Sequence, residues 1–197
     1  MTKKALSSTL LVILLFLPFA QVTAKTFIIS PDTAEATFTG QLLGLTSFNG
    51  QFHDISGKIL SDPDNPERDM VQISISACSI EMPNQFMSAK AKSSSFLDCA
   101  RYPRISFFST RAQWQHGNNL RINGLLTVHG ITREIQLTTK SRKHDVYSDK
   151  PLSFQGEISI SRLDFGVGSR FSAIDDEITI SFDIIALEEG TLTASLK

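Results

Sequence analysis

The sequence predicts a mainly β protein, an antiparallel, lipocalin-like barrel of about eight strands with one helical segment between strands. Apolar and polar residues alternate along much of the chain, for example over residues 71–77. Such alternation is typical of strands with one buried face. Turn-forming residues separate the alternating segments, as at 62–66, 117–119, 148–151 and 166–168. Many short strands with this spacing favour one antiparallel barrel or sandwich.

The later strands repeat this alternation with their apolar residues at every second position. The members are Leu120, Ile122, Leu126 and Val128, then Ile131, Ile135 and Leu137, then Phe154, Ile158 and Ile160, and finally Ile178, Ile180, Phe182, Ile184 and Ala186. Adjacent apolar pairs such as Phe107 and Phe108 place large side chains on opposite faces of a strand. We therefore expect an apolar lumen, with the helix packed on the outside of the barrel.

The segment 83–97 lacks the alternation and predicts the helix. Residues 87–92 favour helix over strand, and Pro83 is acceptable in a first helical turn. The helix should lie between a strand that ends near Ala77 and a strand over Arg104–Trp114.

Residues 1–24 have the character of a cleavable signal peptide. Lys3 and Lys4 precede an apolar run over 10–20, and small residues occupy 22–24. The run is shorter than the roughly 20 residues needed to cross a bilayer. We expect export to the periplasm without stable membrane insertion after cleavage, one domain over 25–190, and a frayed tail over 191–197.

Cys78 and Cys99 are the only cysteines. Pairs of cysteines in exported proteins tend to form disulfides, so a Cys78–Cys99 bridge is predicted, with two separate thiols as the alternative. No metal site is expected, because two cysteines without a close third ligand do not make a zinc site.

Charge and composition restrict the ligand class. The formal net charge of −1 offers no basic field for nucleic acid. The chain has 14 Phe but 2 Tyr and 1 Trp, which gives apolar surface without polar groups and suits a lipid chain. A solid Phe-rich core explains the same composition, and the oligomeric state, monomer or homodimer, stays open.

Catalytic signatures are absent from the sequence. It contains four His and neither an H-E-x-x-H nor a G-x-S-x-G motif, so we predict no catalytic residues. His53 and Asp54 are adjacent and would point to opposite faces of a strand. His129, beside Gly130, is expected to stabilise a turn, with contact to a ligand headgroup as the alternative.

Several blocks, in order along the chain, resemble the YceI-like family of small secreted polyisoprenoid-binding β-barrels. The hairpin-like block 123–133 contains the sequence N-G-L-L-T-V-H-G-I-T-R. The others are residues 27–57, the S-S-S-F-L-D of 93–98 with Tyr102 and Pro103, the D-F-G-V-G of 164–168, and residues 176–183. Thr33 and Leu42 stand where that family often has His, so contacts made by those His residues do not carry over.

The resemblance implies a periplasmic carrier that holds an isoprenoid or another long-chain amphiphilic lipid, with no cofactor besides that ligand. A lipid-modifying enzyme with a site at the barrel mouth, or a ligand-free barrel acting as an interaction or stress protein, are the rival hypotheses. The residues expected to line the lumen are Phe38, Phe52, Phe107, Leu126, Val128, Phe154, Phe165, Ile180 and Phe182.

Overall fold

The computed structural model describes residues 24–62, 65, 68–141 and 151–190. The predicted signal peptide, apart from Ala24, and the predicted tail lie outside these residues. The described part of the chain forms eleven strands and one α-helix. The strands are β1 (Lys25–Ile29), β2 (Ala34–Leu42), β3 (Thr46–Phe52), β4 (Ile55–Ser61), β5 (Met70–Ser76), β6 (Ile80–Glu81), β7 (Arg104–Trp114), β8 (Asn119–Val128), β9 (Ile131–Ser141), β10 (Leu152–Ser161) and β11 (Glu177–Glu188). The helix is α1 (Gln85–Lys92).

The strands form a closed antiparallel barrel with eight positions around its wall. The order is β1, β4, β5, β7, β8, β9, β10 and β11, and β11 pairs back with β1. A short 3-10 turn over Pro31–Thr33 separates β1 from β2, and β2 continues along β11 from Ala34 to Thr39. β3 pairs with β2, and the two-residue β6 pairs with β3, so the sheet extends beyond the closed ring. The prediction of an antiparallel barrel of about eight strands is confirmed.

Strand registers keep the apolar set on the inside. In β8, Leu120, Ile122, Leu126 and Val128 are buried, while Leu125 is 41% exposed. Leu126 pairs with Phe107 of β7, and Leu125 pairs with Phe108, which is 42% exposed. A shift by one residue would exchange these two faces, so the buried set fixes the register.

The helix is shorter than the predicted segment 83–97, and it does not pack where the sequence analysis expected. Asn84 caps its first turn by accepting a hydrogen bond from the Met87 amide at 2.9 Å, so Pro83 precedes the helix. Side chains of α1 face the end of the lumen. The expectation that the helix covers the outside of the barrel is therefore wrong, and the outward-facing Phe108 and Leu125 stay partly exposed. The partial exposure of these two side chains costs little stability, because single exposed apolar side chains are common on protein surfaces.

The predicted disulfide is confirmed. Cys78 lies in the turn after β5 and Cys99 lies beyond α1, with their Cα atoms 5.3 Å apart. The bridge spans 21 residues of sequence and therefore fastens the α1 segment to the end of the barrel.

Candidate functional site: an apolar cavity in the barrel

The barrel encloses a cavity of about 380 Å³. Inward-facing residues of the strands form most of its wall, and α1 with the segment that follows it forms one end. The volume lies within the range of roughly 300–1,000 Å³ that is common for small-molecule sites. The wall is almost wholly apolar, so the cavity suits a hydrocarbon chain.

All nine residues that the sequence predicted for the lumen lie on the cavity wall. Six of them are buried and three are partly exposed; the set is Phe38, Phe52, Phe107, Leu126, Val128, Phe154, Phe165, Ile180 and Phe182. Leu42 also lines the cavity. Thr33 instead bonds to Ser30 through its hydroxyl in the turn before β2. Whether these wall residues bind a lipid stays a prediction.

Four of the Phe rings on the wall lie against a glycine of the neighbouring strand. A Cβ at Gly156 or Gly124 would come within 2.5 Å of the ring of Phe182 or Phe107, respectively. The same arrangement pairs Gly50 with Phe38 and Gly40 with Phe48, at 2.4 and 2.5 Å. Because a glycine has no side chain, each ring fits against the wall at that point. The glycines therefore leave room for large aromatic rings without closing the cavity.

A few polar side chains interrupt the apolar wall: Glu35, Lys90, Thr139 and Arg162. The Thr139 side chain is 2% exposed, and its hydroxyl has no hydrogen-bond partner among the described residues. Arg162 is 5% exposed. It follows β10 directly, at the end of the barrel next to α1.

Exposed apolar side chains surround this same end. Phe86 of α1 lines the cavity and is 81% exposed, so the cavity reaches the surface beside the helix. Leu43 and Leu45 protrude from the β2–β3 turn, and Phe171 from the loop before β11. The amide of Leu43 donates to the carbonyl of Ala173 at 2.9 Å, which holds that turn against the loop. We refer to this end as the mouth.

His129 lies in the β8–β9 turn, with a positive φ of 50°. Its ring contacts Tyr102 edge-on at 4.6 Å between centroids. The residue is not on the cavity wall. This position supports the turn-stabilising interpretation, because the imidazole packs on Tyr102 and is not part of the cavity wall.

His53 pairs with Glu81 and not with Asp54, at 2.5 Å between Nε2 and Oε2. Both side chains are more than half exposed, and neither lines the cavity. The Ser79 hydroxyl donates to the Ser76 carbonyl and accepts from the His53 main-chain amide. Because no hydroxyl of the described residues bonds to the imidazole, the cluster lacks the nucleophile-to-base contact of a triad among them. Within the described ranges, no three His, Cys, Asp or Glu side chains are grouped as metal ligands.

The sequence analysis missed several wall residues. Phe48 carried a usable signal, because it alternates with Phe52 in β3. Phe86 and Lys90 lie on a helix without a clear apolar stripe, so nothing in their spacing indicated a role. Arg162 lies two residues before the D-F-G-V-G block of 164–168, but an Arg close to a turn gives no sign of burial.

None of the described helices has the length and apolar character needed to cross a bilayer.

The barrel has the same fold as several solved structures. BcnA of Burkholderia cenocepacia superposes with a TM-score of 0.72 at 19% identity, covering 80% of this chain and 98% of BcnA. A polyisoprenoid binding domain from Saccharophagus degradans gives a TM-score of 0.63 at 12% identity, with 84% and 99% coverage. At these identities the likeness shows the fold alone.

Sequence similarity is higher to curated relatives. Protein YceI of Escherichia coli is 30% identical over 159 residues, which are 80% of this chain and 81% of the relative. Protein YceI of Salmonella arizonae is 27% identical over 158 residues, with 79% and 82% coverage. The family model described as the YceI-like domain matches residues 27–186. The chain therefore belongs to the YceI-like family.

Proposed function

We propose that this protein is a periplasmic carrier that holds the chain of an isoprenoid or another long-chain amphiphile in the barrel lumen. The observation that carries the proposal is the cavity of about 380 Å³ with its almost entirely apolar wall. Each methylene transferred from water to such a wall gains about 0.8 kcal/mol. A chain of moderate length would therefore bind tightly with few polar contacts.

The fold of the Saccharophagus degradans polyisoprenoid binding domain supports the choice of ligand class. The two rival hypotheses find less support. A ligand-free interaction protein has no need of an open lumen, and a lipid-modifying enzyme needs a titratable cluster beside the bound chain. The described His and carboxylate pair, His53 and Glu81, lies away from the cavity wall. Export to the periplasm rests on the leader-like residues 1–24.

Native mass spectrometry of protein purified from the periplasm without detergent tests this function. We expect a co-purified long-chain lipid, which organic extraction removes and added isoprenoid alcohol replaces. A matched pair of variants locates the site. Leu126→Phe adds volume to the buried wall, and Leu125→Phe adds the same volume on the outside of the same strand.

Reduced lipid occupancy is expected only in the Leu126→Phe variant. Circular dichroism of both variants checks that the barrel is intact. If folded wild-type protein neither carries a lipid nor takes one up, or if both variants lose occupancy equally, the lumen is not the binding site and the carrier function is wrong.

A further inference from the structure

The most exposed apolar side chains of the described residues gather at the mouth. Nine large apolar side chains are exposed in this part of the chain, and five of them, all on strands, are only 37–42% exposed. The other four are 70–96% exposed and all belong to the mouth: Leu43, Leu45, Phe86 and Phe171. Single apolar residues at a surface need no explanation, but a group of this kind marks a site of interaction with another molecule or with a membrane.

Main-chain pairing fixes the turn after β2 against the loop before β11. Leu42, the last residue of β2, forms an antiparallel bridge with Ile174, and both residues line the cavity. Leu43 and Leu45 follow this bridge in the turn, while Phe171 precedes it by three residues in the loop. Both apolar tips are therefore attached to the same part of the cavity wall.

The α1 segment forms the other side of the opening. Phe86 of α1 lines the cavity although its side chain is 81% exposed. Phe96, which follows α1, reaches the loop before β11, because a Cβ at Gly168 would lie 3.1 Å from its Cε1 atom. The exposed apolar side chains thus belong to three segments that meet around the opening of the cavity.

The charged residues of these three segments are all basic. The turn, the α1 segment and the loop, over residues 43–47, 85–96 and 166–174, contain Lys90, Lys92 and Arg170 and no Asp or Glu. Lys90 and Arg170 are exposed. Asp175, the next residue after the loop, directs its carboxylate toward the turn, 3.8 Å from a Cβ at Gly44. Exposed cations beside apolar side chains suit a membrane surface that contains anionic phospholipids.

The shape of the mouth favours a bilayer over a protein partner. Leu45 and Phe171 are 87% and 96% exposed at the tips of separate turns, so they form protrusions and not a flat patch or a groove. A protein partner would need a fitted pocket for each tip. The boundary between headgroups and acyl chains is fluid and accepts such side chains without one.

We propose that the mouth docks on the surface of a phospholipid bilayer that contains anionic lipid. Leu45, Phe86 and Phe171 enter the boundary between headgroups and acyl chains, and Lys90 and Arg170 lie among the headgroups. In this orientation the cavity opens toward the bilayer, so a lipid chain passes between membrane and lumen without crossing water. Docking goes beyond the carrier function, and its test does not require a lipid in the lumen.

Co-sedimentation of delipidated full-length protein with vesicles tests the apolar tips. The vesicles are phosphatidylcholine alone or phosphatidylcholine with phosphatidylglycerol. Leu45→Ser combined with Phe171→Ser should weaken binding to both at least about tenfold, because two apolar side chains no longer enter the bilayer. Leu125→Ser combined with Phe108→Ser removes the same residue types from the outer wall of the barrel and should leave vesicle binding unchanged.

A pair of charge variants tests the basic residues. Arg170→Gln should weaken binding to the vesicles with phosphatidylglycerol about threefold or more and leave binding to phosphatidylcholine alone unchanged. Lys58→Gln, which removes an exposed cation from the middle of β4, should have no such selective effect. Added salt should reduce only the part of the binding that depends on phosphatidylglycerol.

Tryptophan fluorescence reports which end of the barrel meets the bilayer. Trp114 is the only tryptophan of the chain, and it ends β7, whereas Arg104 at the start of β7 pairs with Ser76 close to the disulfide and α1. Trp114 therefore lies away from the mouth. Brominated phospholipid should quench the Phe171→Trp variant strongly and leave the emission of wild-type protein nearly unchanged.

Two controls separate docking from damage to the barrel. Circular dichroism checks that each variant is folded, and the single changes Phe171→Ser and Leu125→Ser repeat the comparison with less alteration. Lumen binding is measured by displacement of a fluorescent fatty alcohol. It should stay unchanged when Leu45 and Phe171 are replaced, since neither residue lines the cavity.

Docking is wrong if wild-type protein binds neither kind of vesicle, if the mouth and outer-wall variants lose binding equally, or if Trp114 is quenched as strongly as the new tryptophan. It is also wrong if analytical ultracentrifugation shows that the mouth joins two copies of the chain and that the pair does not bind vesicles. Vesicle binding by a protein whose lumen takes up no fatty alcohol would support docking and overturn the carrier function alone.

Discussion

Gly156 of β10 lies opposite Phe182 of β11, and a Cβ at Gly156 would lie 2.5 Å from Cζ of the Phe182 ring. Real atoms do not approach so closely, so the ring occupies its place only because position 156 has no side chain. Phe182 lines the cavity. Its position against the wall therefore depends on a glycine in the neighbouring strand.

Gly156→Ala should push the Phe182 ring toward the lumen. We expect a loss of about 1–3 kcal/mol in the free energy of unfolding, as for other overpacked cores, together with weaker binding of long-chain lipids. Urea unfolding and lipid displacement measure the two effects. Gly190→Ala is the control, since nothing lies within 4 Å of a Cβ there.

A second substitution separates this contact from a general effect on the strand. Adding Phe182→Leu to Gly156→Ala removes the ring and should restore part of the lost stability. If the double variant is no more stable than the sum of the two single changes implies, the ring is not the cause.

The disulfide should contribute substantially to stability. Replacing both Cys78 and Cys99 by Ser opens a loop of 21 residues, which the chain-entropy model values at about 3 kcal/mol. The double variant avoids a single unpaired thiol. Urea unfolding measures both the double variant and wild-type protein with and without reductant. The loss of unfolding free energy in the variant should match the loss that reductant causes in wild-type protein. If the variant has the same unfolding free energy as oxidised wild-type protein, the α1 segment is held by packing alone.

The sequence predicted most of the barrel because its signal is local. Alternation over residues 71–77 and 178–186 marks an inner face within each strand, and any register that buries one such face places its members in the lumen. Phe182 belongs to such an alternating set, whereas alternation does not choose between the neighbours Phe107 and Phe108, which lie on opposite faces. Alternation alone does not show whether the strands close into a barrel or form a sandwich. The closed barrel was expected from the resemblance to the YceI-like family.

The mouth was not predictable, because its features depend on contacts between distant segments. Arg162 is buried where four main-chain carbonyls between residues 167 and 175 accept its hydrogen bonds. α1 covers the lumen end and not the outer wall, as its attachment through Cys78–Cys99 and β6 brings it there. The Phe and glycine pairs could be predicted only from the register between two strands, and the sequence of a single strand does not determine that register.

His129→Ala should affect the turn more than lipid binding. The imidazole packs edge-on against Tyr102 and lies off the cavity wall. We expect a loss of about 1 kcal/mol in unfolding free energy, a usual value for an aromatic contact, and unchanged lipid affinity in the displacement assay. A clear drop in affinity with unchanged stability would return His129 to the role of a headgroup contact.

Asp69 should make stability depend on pH in the weakly acidic range. Burial raises the pKa of its carboxyl from 3.8 to about 6, although Asp69 also accepts a hydrogen bond from the Asp62 amide at 2.8 Å. The folded state therefore binds the proton more tightly than the unfolded state. Between these two pKa values the contribution of Asp69 to the free energy of unfolding falls as pH rises, and above about pH 6 the penalty for the buried charge is complete.

Asp69→Asn removes this penalty and keeps an oxygen to accept from the Asp62 amide. Because the Asp69 carboxyl is only partly buried and solvent screens its charge, we expect the variant to be more stable than wild-type protein by about 1 kcal/mol above pH ~6, with the difference shrinking toward zero below pH ~4. Urea unfolding at several pH values measures it. Asp54→Asn, which removes an exposed carboxylate between β3 and β4, controls for the change in net charge. If the difference in unfolding free energy is instead constant across the pH range, the Asp69 carboxyl has the same pKa in the folded and unfolded states. The greater stability of the variant would then not come from removing a buried charge.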